Sequence, residues 1–157
     1  RIFKVEHITR LTREDTPHIL DKTFHIDIII ELTNKMILTG QEKIRRNKYL
    51  PYQEFTLEYN SNCFGTAGEF KKLCTDFYFY GYGDPETGLS CIYVFKPTDV
   101  KLAICNGKLV GNLKNNEYHG TASFYAYPFS QFKDEWFIYK KPYNPNQLAG
   151  SEPTDKA

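Results

Sequence analysis

A chain of 157 residues, 41% hydrophobic and 16% aromatic, is long enough for one substantial core and short for two. Its 20 Lys and Arg against 19 Asp and Glu leave a formal charge of +1, which excludes a general polyanion-binding surface and confines any nucleic-acid contact to a local patch. No stretch nears the ~18 to 20 uninterrupted apolar residues of a membrane-spanning helix, so no membrane partner is expected.

The opening Arg1-Ile2-Phe3-Lys4 lacks a methionine and an apolar signal run, and reads as a trimmed or processed end. Cys63, Cys74, Cys91 and Cys105 form no CxxC pair and no zinc-finger spacing. Cys74 and Cys91 stand among apolar neighbours, where a free thiol behaves as a small buried hydrophobe. Reduced cysteines in an intracellular protein, cytoplasmic or nuclear, are therefore expected. The even count leaves open a disulfide-stabilised secreted or surface binding domain. No linker divides the chain, so residues 1–141 form a single expected domain, and 142–157, with Pro142, Pro145, Gly150 and Pro153, read as a disordered or extended tail.

The stretch up to Leu20 is ambiguous between strand and helix, with Thr12-Arg13-Glu14-Asp15 before Pro17 suited to a helix start or a turn. Phe24 to Leu32 and Met36 to Arg45, separated by Thr33-Asn34-Lys35, read as a β-hairpin. Phe55 to Tyr59 alternates and predicts a strand, and Phe70, Leu73, Cys74 and Phe77 recur at helical spacing. Phe77 to Tyr82 then suits a strand, Gly83-Asp84-Pro85 a turn, and Ser90 to Phe95 another strand. Thr98 can cap a short helix running to Ile104, with Gly107 just beyond. An Asn-rich loop with Asn112, Asn115, Asn116 and Gly120 precedes a strand from Ala122 to Tyr127. Ser130 can cap a last helix carrying Phe132 and Trp136. The order predicts an α/β (α+β) class with a central mixed sheet flanked by helices.

Hairpin register decides which polar side chains can cooperate. With Thr33-Asn34-Lys35 as a three-residue loop, Ile30 faces Leu38 and Ile28 faces Gly40. The apolar set Ile26, Ile28, Ile30, Leu32, Met36 and Leu38 then shares one face, and Asp27, Gln41 and Lys43 the other. With Asn34-Lys35 as a two-residue loop, Asp27 faces Glu42 instead. The first register keeps the apolar set together, and Asn-Lys is not the Asn-Gly pair of a tight hairpin.

An acid, a second oxygen ligand and a lysine at neighbouring strand ends suit a hard cation that retains waters and binds a phosphate oxygen. Asp27 at the start of one strand, followed by Gln41-Glu42-Lys43 on the next, resembles the signature of the PD-(D/E)XK nuclease superfamily. The resemblance implies a restriction-endonuclease-like fold and a Mg2+- or Mn2+-dependent nuclease acting on DNA, less often RNA, often as a homodimer. It further implies Asp27 with Gln41 or Glu42 as metal ligands, the Glu42 carbonyl beside them, and Lys43 managing the attacking water. Two positions depart from the pattern: Ile26 replaces the proline, and Gln41 replaces the second acid. Glu42, Glu54 or Glu58 are the acids that would compensate, with Glu58 the first candidate. A catalytically inactive nucleic-acid-binding or protein-interaction module on the same fold is the alternative.

Arg45, Arg46 and Lys48, next to Tyr49 and Tyr52, form a basic patch fit to hold backbone phosphates. Plain structural uses compete throughout. Asp27 can be a solvated strand-end acid, and Lys43 an edge-strand lysine. His25 suits a surface position and Glu31 a solvated one. The rings of Phe77-Tyr78-Phe79-Tyr80-Gly81-Tyr82 suit core packing better than base stacking. Gly81-Tyr82-Gly83 is no phosphate loop, because no Lys-Ser or Lys-Thr follows it.

Overall fold

In the computed structural model, which describes residues 4–11, 26–60, 68–115 and 123–143, the hairpin is the organising unit. Strand β1 (Val5–Arg10) pairs antiparallel with β2 (Ile28–Leu32), and β2 with β3 (Ile37–Arg45). The β2–β3 register sets Ile28 opposite Gly40 and Ile30 opposite Leu38, as the three-residue loop predicts. Asn34 Oδ1 accepts the Met36 N–H at 3.2 Å, and Lys35 takes a left-handed φ of 65°, so local turn chemistry fixes the register.

A 3-10 turn (Asn47–Tyr52) follows, then β4 (Glu54–Asn60) and a one-turn helix α1 (Glu69–Lys72). Strand β5 (Phe77–Asp84) returns parallel to β3, β6 (Gly88–Phe95) pairs antiparallel with β5, and helix α2 (Pro97–Cys105) follows. Short strands β7 (Asn112–Asn115) and β8 (Ser123–Pro128), two 3-10 turns (Phe129–Gln131 and Asp134–Trp136) and β9 (Phe137–Lys141) complete the order. The result is a mixed six-stranded sheet, β1-β2-β3-β5-β6-β9, and a three-stranded sheet, β4-β8-β7. Asp76 secures the parallel pair: its Oδ2 accepts both the Thr39 N–H at 2.7 Å and the Thr39 hydroxyl at 3.0 Å.

Several expectations change. The helix expected across Phe70 to Phe77 is only Glu69–Lys72, because Phe77 already belongs to β5, opposite Gly40. The Asn-rich loop contains the edge strand β7. The Ser130 helix resolves into two 3-10 turns that deliver Phe129, Phe132 and Trp136 to the core. Cys74 is exposed rather than buried, and among the described residues no disulfide joins Cys74, Cys91 and Cys105. Tyr143, counted with the tail, packs against the core cluster. The Thr12 to Pro17 start, His25, Cys63 and residues 144–157 lie outside the described residues. Among the described residues no helix is long and apolar enough to cross a membrane.

The core is aromatic. Phe55 meets Tyr78, Tyr80, Phe95 and Phe132 edge-on, with centroids 5.0 to 6.0 Å apart. Pairs of this kind each contribute about 0.5–1.5 kcal/mol beyond burial. The tyrosines also carry hydroxyls, and these close the outer edge of β4. Tyr82 OH accepts from the Glu54 N–H at 3.0 Å and donates to the Glu54 carbonyl at 2.7 Å. Tyr80 OH accepts the Thr56 N–H at 3.3 Å and lies 3.0 Å from the Thr56 hydroxyl. One row of side chains thus supplies what a neighbouring strand would give.

Tyr80→Phe strands the buried Thr56 groups and is expected to cost about 1–3 kcal/mol in urea denaturation, whereas Tyr139→Phe on exposed β9 should stay within about 0.5 kcal/mol. A second outcome concerns alkaline pH. Burial pushes the Tyr78 and Tyr82 phenols well up, and lifts Tyr93 and Tyr127 to about 12. The folded state thus favours the neutral phenols. Their contribution is complete below the ordinary phenol value of about 10 and is lost as pH rises through the folded values. Tyrosinate absorbance should show the buried rings ionising after the surface rings and together with loss of the near-ultraviolet circular dichroism signal.

Candidate functional site

Asp27 sits where three chain segments meet. Its N–H donates to the Gly40 carbonyl at 2.9 Å, and its carbonyl accepts the Leu11 N–H at 2.7 Å. The backbone is thereby held from both β3 and the end of β1, which directs the carboxylate onto the Gln41 and Lys43 face. Asp27 Oδ2 accepts from Gln41 Nε2 at 2.7 Å and from the Glu42 N–H at 2.9 Å.

Gln41 is only 8% exposed. Its nitrogen must face Asp27, since the opposite orientation would set two acceptors against each other. This leaves Gln41 Oε1 buried with no hydrogen-bond partner among the described residues. A buried acceptor in that state costs about 1–3 kcal/mol and marks a place where a ligand can contribute. The Glu42 carbonyl lies 3.5 Å from Gln41 Nε2.

Two residues along β3, Lys43 enters a second cluster. Its ammonium donates to Glu69 Oε2 at 3.0 Å and to the Thr56 carbonyl at 3.2 Å. Glu69 is 5% exposed, and its other oxygen accepts a hydrogen bond from the Tyr78 hydroxyl. Gly68 makes this approach possible: a Cβ there would stand 2.6 Å from the Glu58 carbonyl oxygen, so any other residue would push α1 away from β4. An ammonium has three N–H donors, and two are used here, which leaves one for a further acceptor.

The other predicted residues divide. The Glu42 carboxylate lies on the opposite sheet face, paired with Arg10 Nη2 at 2.7 Å, so only its backbone joins Asp27. A cavity of about 350 Å3 lined by Arg10, Leu11, Asp27, Glu42 and Ile44 opens at this strand end. Arg45 stacks on Tyr49 with its guanidinium 4.2 Å from the ring centroid, and Lys48 lies 4.9 Å from the same centroid. Arg46 is exposed at the start of the 3-10 turn. Arg45 lies four positions beyond Gln41 on β3, a run of about 13 Å, so the basic patch adjoins the Asp27 cluster without entering it.

Glu58 is half-buried on β4 and makes no side-chain hydrogen bond or ion pair among the described residues. Glu54 pairs with Lys114 at 2.7 Å. The acid brought to the site is Glu69, which the sequence reading missed. Its one signal is that it is the only acid between Glu58 and Asp76.

Among the described residues no group of three or more His, Cys, Asp or Glu side chains is arranged to hold a metal ion. Around Asp27 stand instead the Gln41 carboxamide, which turns its nitrogen to the carboxylate, and the Glu42 carbonyl, 3.5 Å from that nitrogen. With the amide turned to present its oxygen, these groups would offer a carboxylate, a carboxamide and a carbonyl, the donor types a hard cation takes together with waters. Neither protein-family models, nor curated proteins, nor solved structures give a match to this chain.

Glu69→Gln leaves the half-buried Lys43 ammonium without its counter-charge. Guanidinium denaturation should show a loss of about 1–3 kcal/mol, below the cost for a fully buried pair because Lys43 remains partly solvated.

Proposed function

We propose that this chain is a divalent-metal-dependent nuclease of the PD-(D/E)XK kind, hydrolysing phosphodiester bonds of DNA in preference to RNA. The observation that carries the reading is the grouping of Asp27, Gln41 and Lys43 on one face at the open end of the β2–β3 hairpin, with Gln41 Oε1 buried and unpartnered. The antiparallel run β1-β2-β3, followed by a crossover to parallel β5, supports a restriction-endonuclease-like arrangement.

Asp27, Gln41 Oε1 and the Glu42 carbonyl would hold Mg2+ or Mn2+. The ion, when bound, makes a water more acidic and neutralises charge on the phosphate. Rotation of the Gln41 amide by half a turn exchanges its nitrogen for oxygen beside Asp27, which a cation requires. Lys43 is anchored by Glu69 and Thr56, so its remaining N–H can orient the attacking water or meet the developing negative charge at phosphorus. Arg45, Arg46 and Lys48 hold flanking phosphates and give salt-sensitive, sequence-independent affinity.

A second reading also has an observation in its favour: Asp27 and Lys43 are both engaged with neighbouring groups, and Gln41 removes a negative charge. Such a site suits a catalytically silent nucleic-acid-binding module.

Cleavage of mixed DNA and RNA substrates with Mg2+ or Mn2+ separates the two. The nuclease reading expects metal-dependent cleavage that Lys43→Ala lowers by about 100-fold or more, with the fold checked by circular dichroism. It also expects Gln41→Glu to tighten Mn2+ binding by about tenfold in calorimetry, since a second carboxylate replaces a neutral oxygen. No cleavage with either metal by the unaltered chain, or no effect of Lys43→Ala, overturns it.

A further inference from the structure

A second cavity, of about 350 Å3, opens away from the Asp27 cluster between the small sheet and the loop that leaves α2. Tyr59, Phe70, Tyr125 and Tyr127 supply rings, while Ile104 and Leu109 supply an aliphatic wall. The rings support one another: Tyr59 meets Tyr125 edge-on at 5.6 Å, and Tyr125 stacks with Tyr127 at 6.1 Å. Gly111 lets the backbone lie flat against Tyr127, since a Cβ there would stand 2.5 Å from the ring. The volume falls within the range of small-molecule sites.

Two features define the ligand. A slot lined by four aromatic rings and two aliphatic side chains suits a planar aromatic group, which packs favourably on rings whatever its substituents. Two lysines outside the lining stand over its rings. Lys71 Nζ lies 4.9 Å from the Tyr59 centroid and Lys101 Nζ 5.5 Å from that of Phe70, while no carboxylate lines the cavity among the described residues. The Tyr125 and Tyr127 hydroxyls make no protein hydrogen bond among the described residues, so they can meet the heteroatoms of a ring edge. Lys71 is exposed, so its ammonium is accessible to an anion, whereas Lys101 also donates to the Leu73 carbonyl at 2.9 Å.

The geometry points to a nucleotide-binding site: the slot takes a nucleobase, and Lys71, backed by Lys101, takes the attached phosphate. The base can come from a free mononucleotide or from an unpaired nucleotide of a strand, which present the same chemistry. This site goes beyond cleavage at Asp27 and needs neither metal nor catalysis.

Binding is measured by calorimetry on the full chain carrying Asp27→Asn, without divalent metal, so that failure here leaves the nuclease reading intact. The probes are dAMP, deoxyadenosine, deoxyribose 5-phosphate and a single-stranded oligodeoxyadenylate. The expected order places dAMP or the oligonucleotide first, with deoxyadenosine and deoxyribose 5-phosphate each weaker by about tenfold or more. Preference for the oligonucleotide that Ile104→Trp removes assigns the slot to a strand, and preference for dAMP to a free nucleotide. Ile104→Trp should fill the slot and weaken both leading ligands at least about tenfold. Lys71→Glu, at an exposed position that leaves the fold intact, should abolish the advantage of dAMP over deoxyadenosine. No binding of either leading ligand at millimolar concentration, equal binding of dAMP and deoxyribose 5-phosphate, or unchanged binding in both variants overturns the assignment.

Discussion

The outer edge of β4 is the constraint on which the molecule depends. A strand buried beside a core cannot leave its N–H and C=O groups unpaired, and among the described residues β4 has a strand partner on only one side. Its other side is satisfied by Tyr82 at Glu54 and by Tyr80 and Lys43 at Thr56. The large sheet therefore binds the small one through side chains rather than through a shared ladder. A one-residue slip of β5 would turn these tyrosines to the other sheet face, so the register of the parallel pair and the seating of the second sheet are one requirement.

Lys43 ties this constraint to the candidate site. The same ammonium closes part of the β4 edge and contacts Glu69, whose carboxylate is held in turn by Tyr78. A lysine used only in chemistry could sweep many rotamers, whereas this one is fixed by elements that cannot move without opening the core. Preorganisation of that kind is what a site needs to act on developing charge. Gln41 fits the same balance. A carboxylate at position 41 would stand against Asp27, with Glu69 already using the nearby ammonium. A carboxamide donates to Asp27 and keeps the cluster stable without a cation, at the expense of one orphaned oxygen.

The sequence made the hairpin legible because its information is local. Alternation in Ile26 to Leu32, an Asn able to bond two residues ahead and a Lys tolerating positive φ all act within a few residues. The same local logic set Asp27, Gln41 and Lys43 on one face. Glu69 was invisible because it reaches Lys43 across a close approach that Gly68 permits and that no periodicity announces. The false helix through Phe77 arose from a real 3.6-residue spacing, overridden because Phe77 lies over Gly40, where a Cβ would meet its ring at 2.2 Å. Strand β7 was hidden by asparagines, which are unfavourable in strands but are accommodated at the edge of a sheet.

The large sheet has two apolar faces, and composition alone does not say which one receives the second layer. Ile28, Ile30, Phe77 and Phe79 line a cavity of about 410 Å3 on one face together with Ile8, which remains 57% exposed. The other face carries Tyr78, Tyr80, Tyr82 and Phe95, all fully buried. Area burial would favour either, since isoleucine and tyrosine both bring large apolar surfaces. The difference lies at the tips of the side chains. Isoleucines offer nothing to the free edge of β4, whereas a tyrosine at every second position offers a hydroxyl about every 7 Å, the repeat of the outward-facing backbone groups of a strand. The aromatic run between Phe77 and Tyr82 thus acts as core and as a substitute strand edge, and that double role explains why the second sheet docks on the face that holds Lys43.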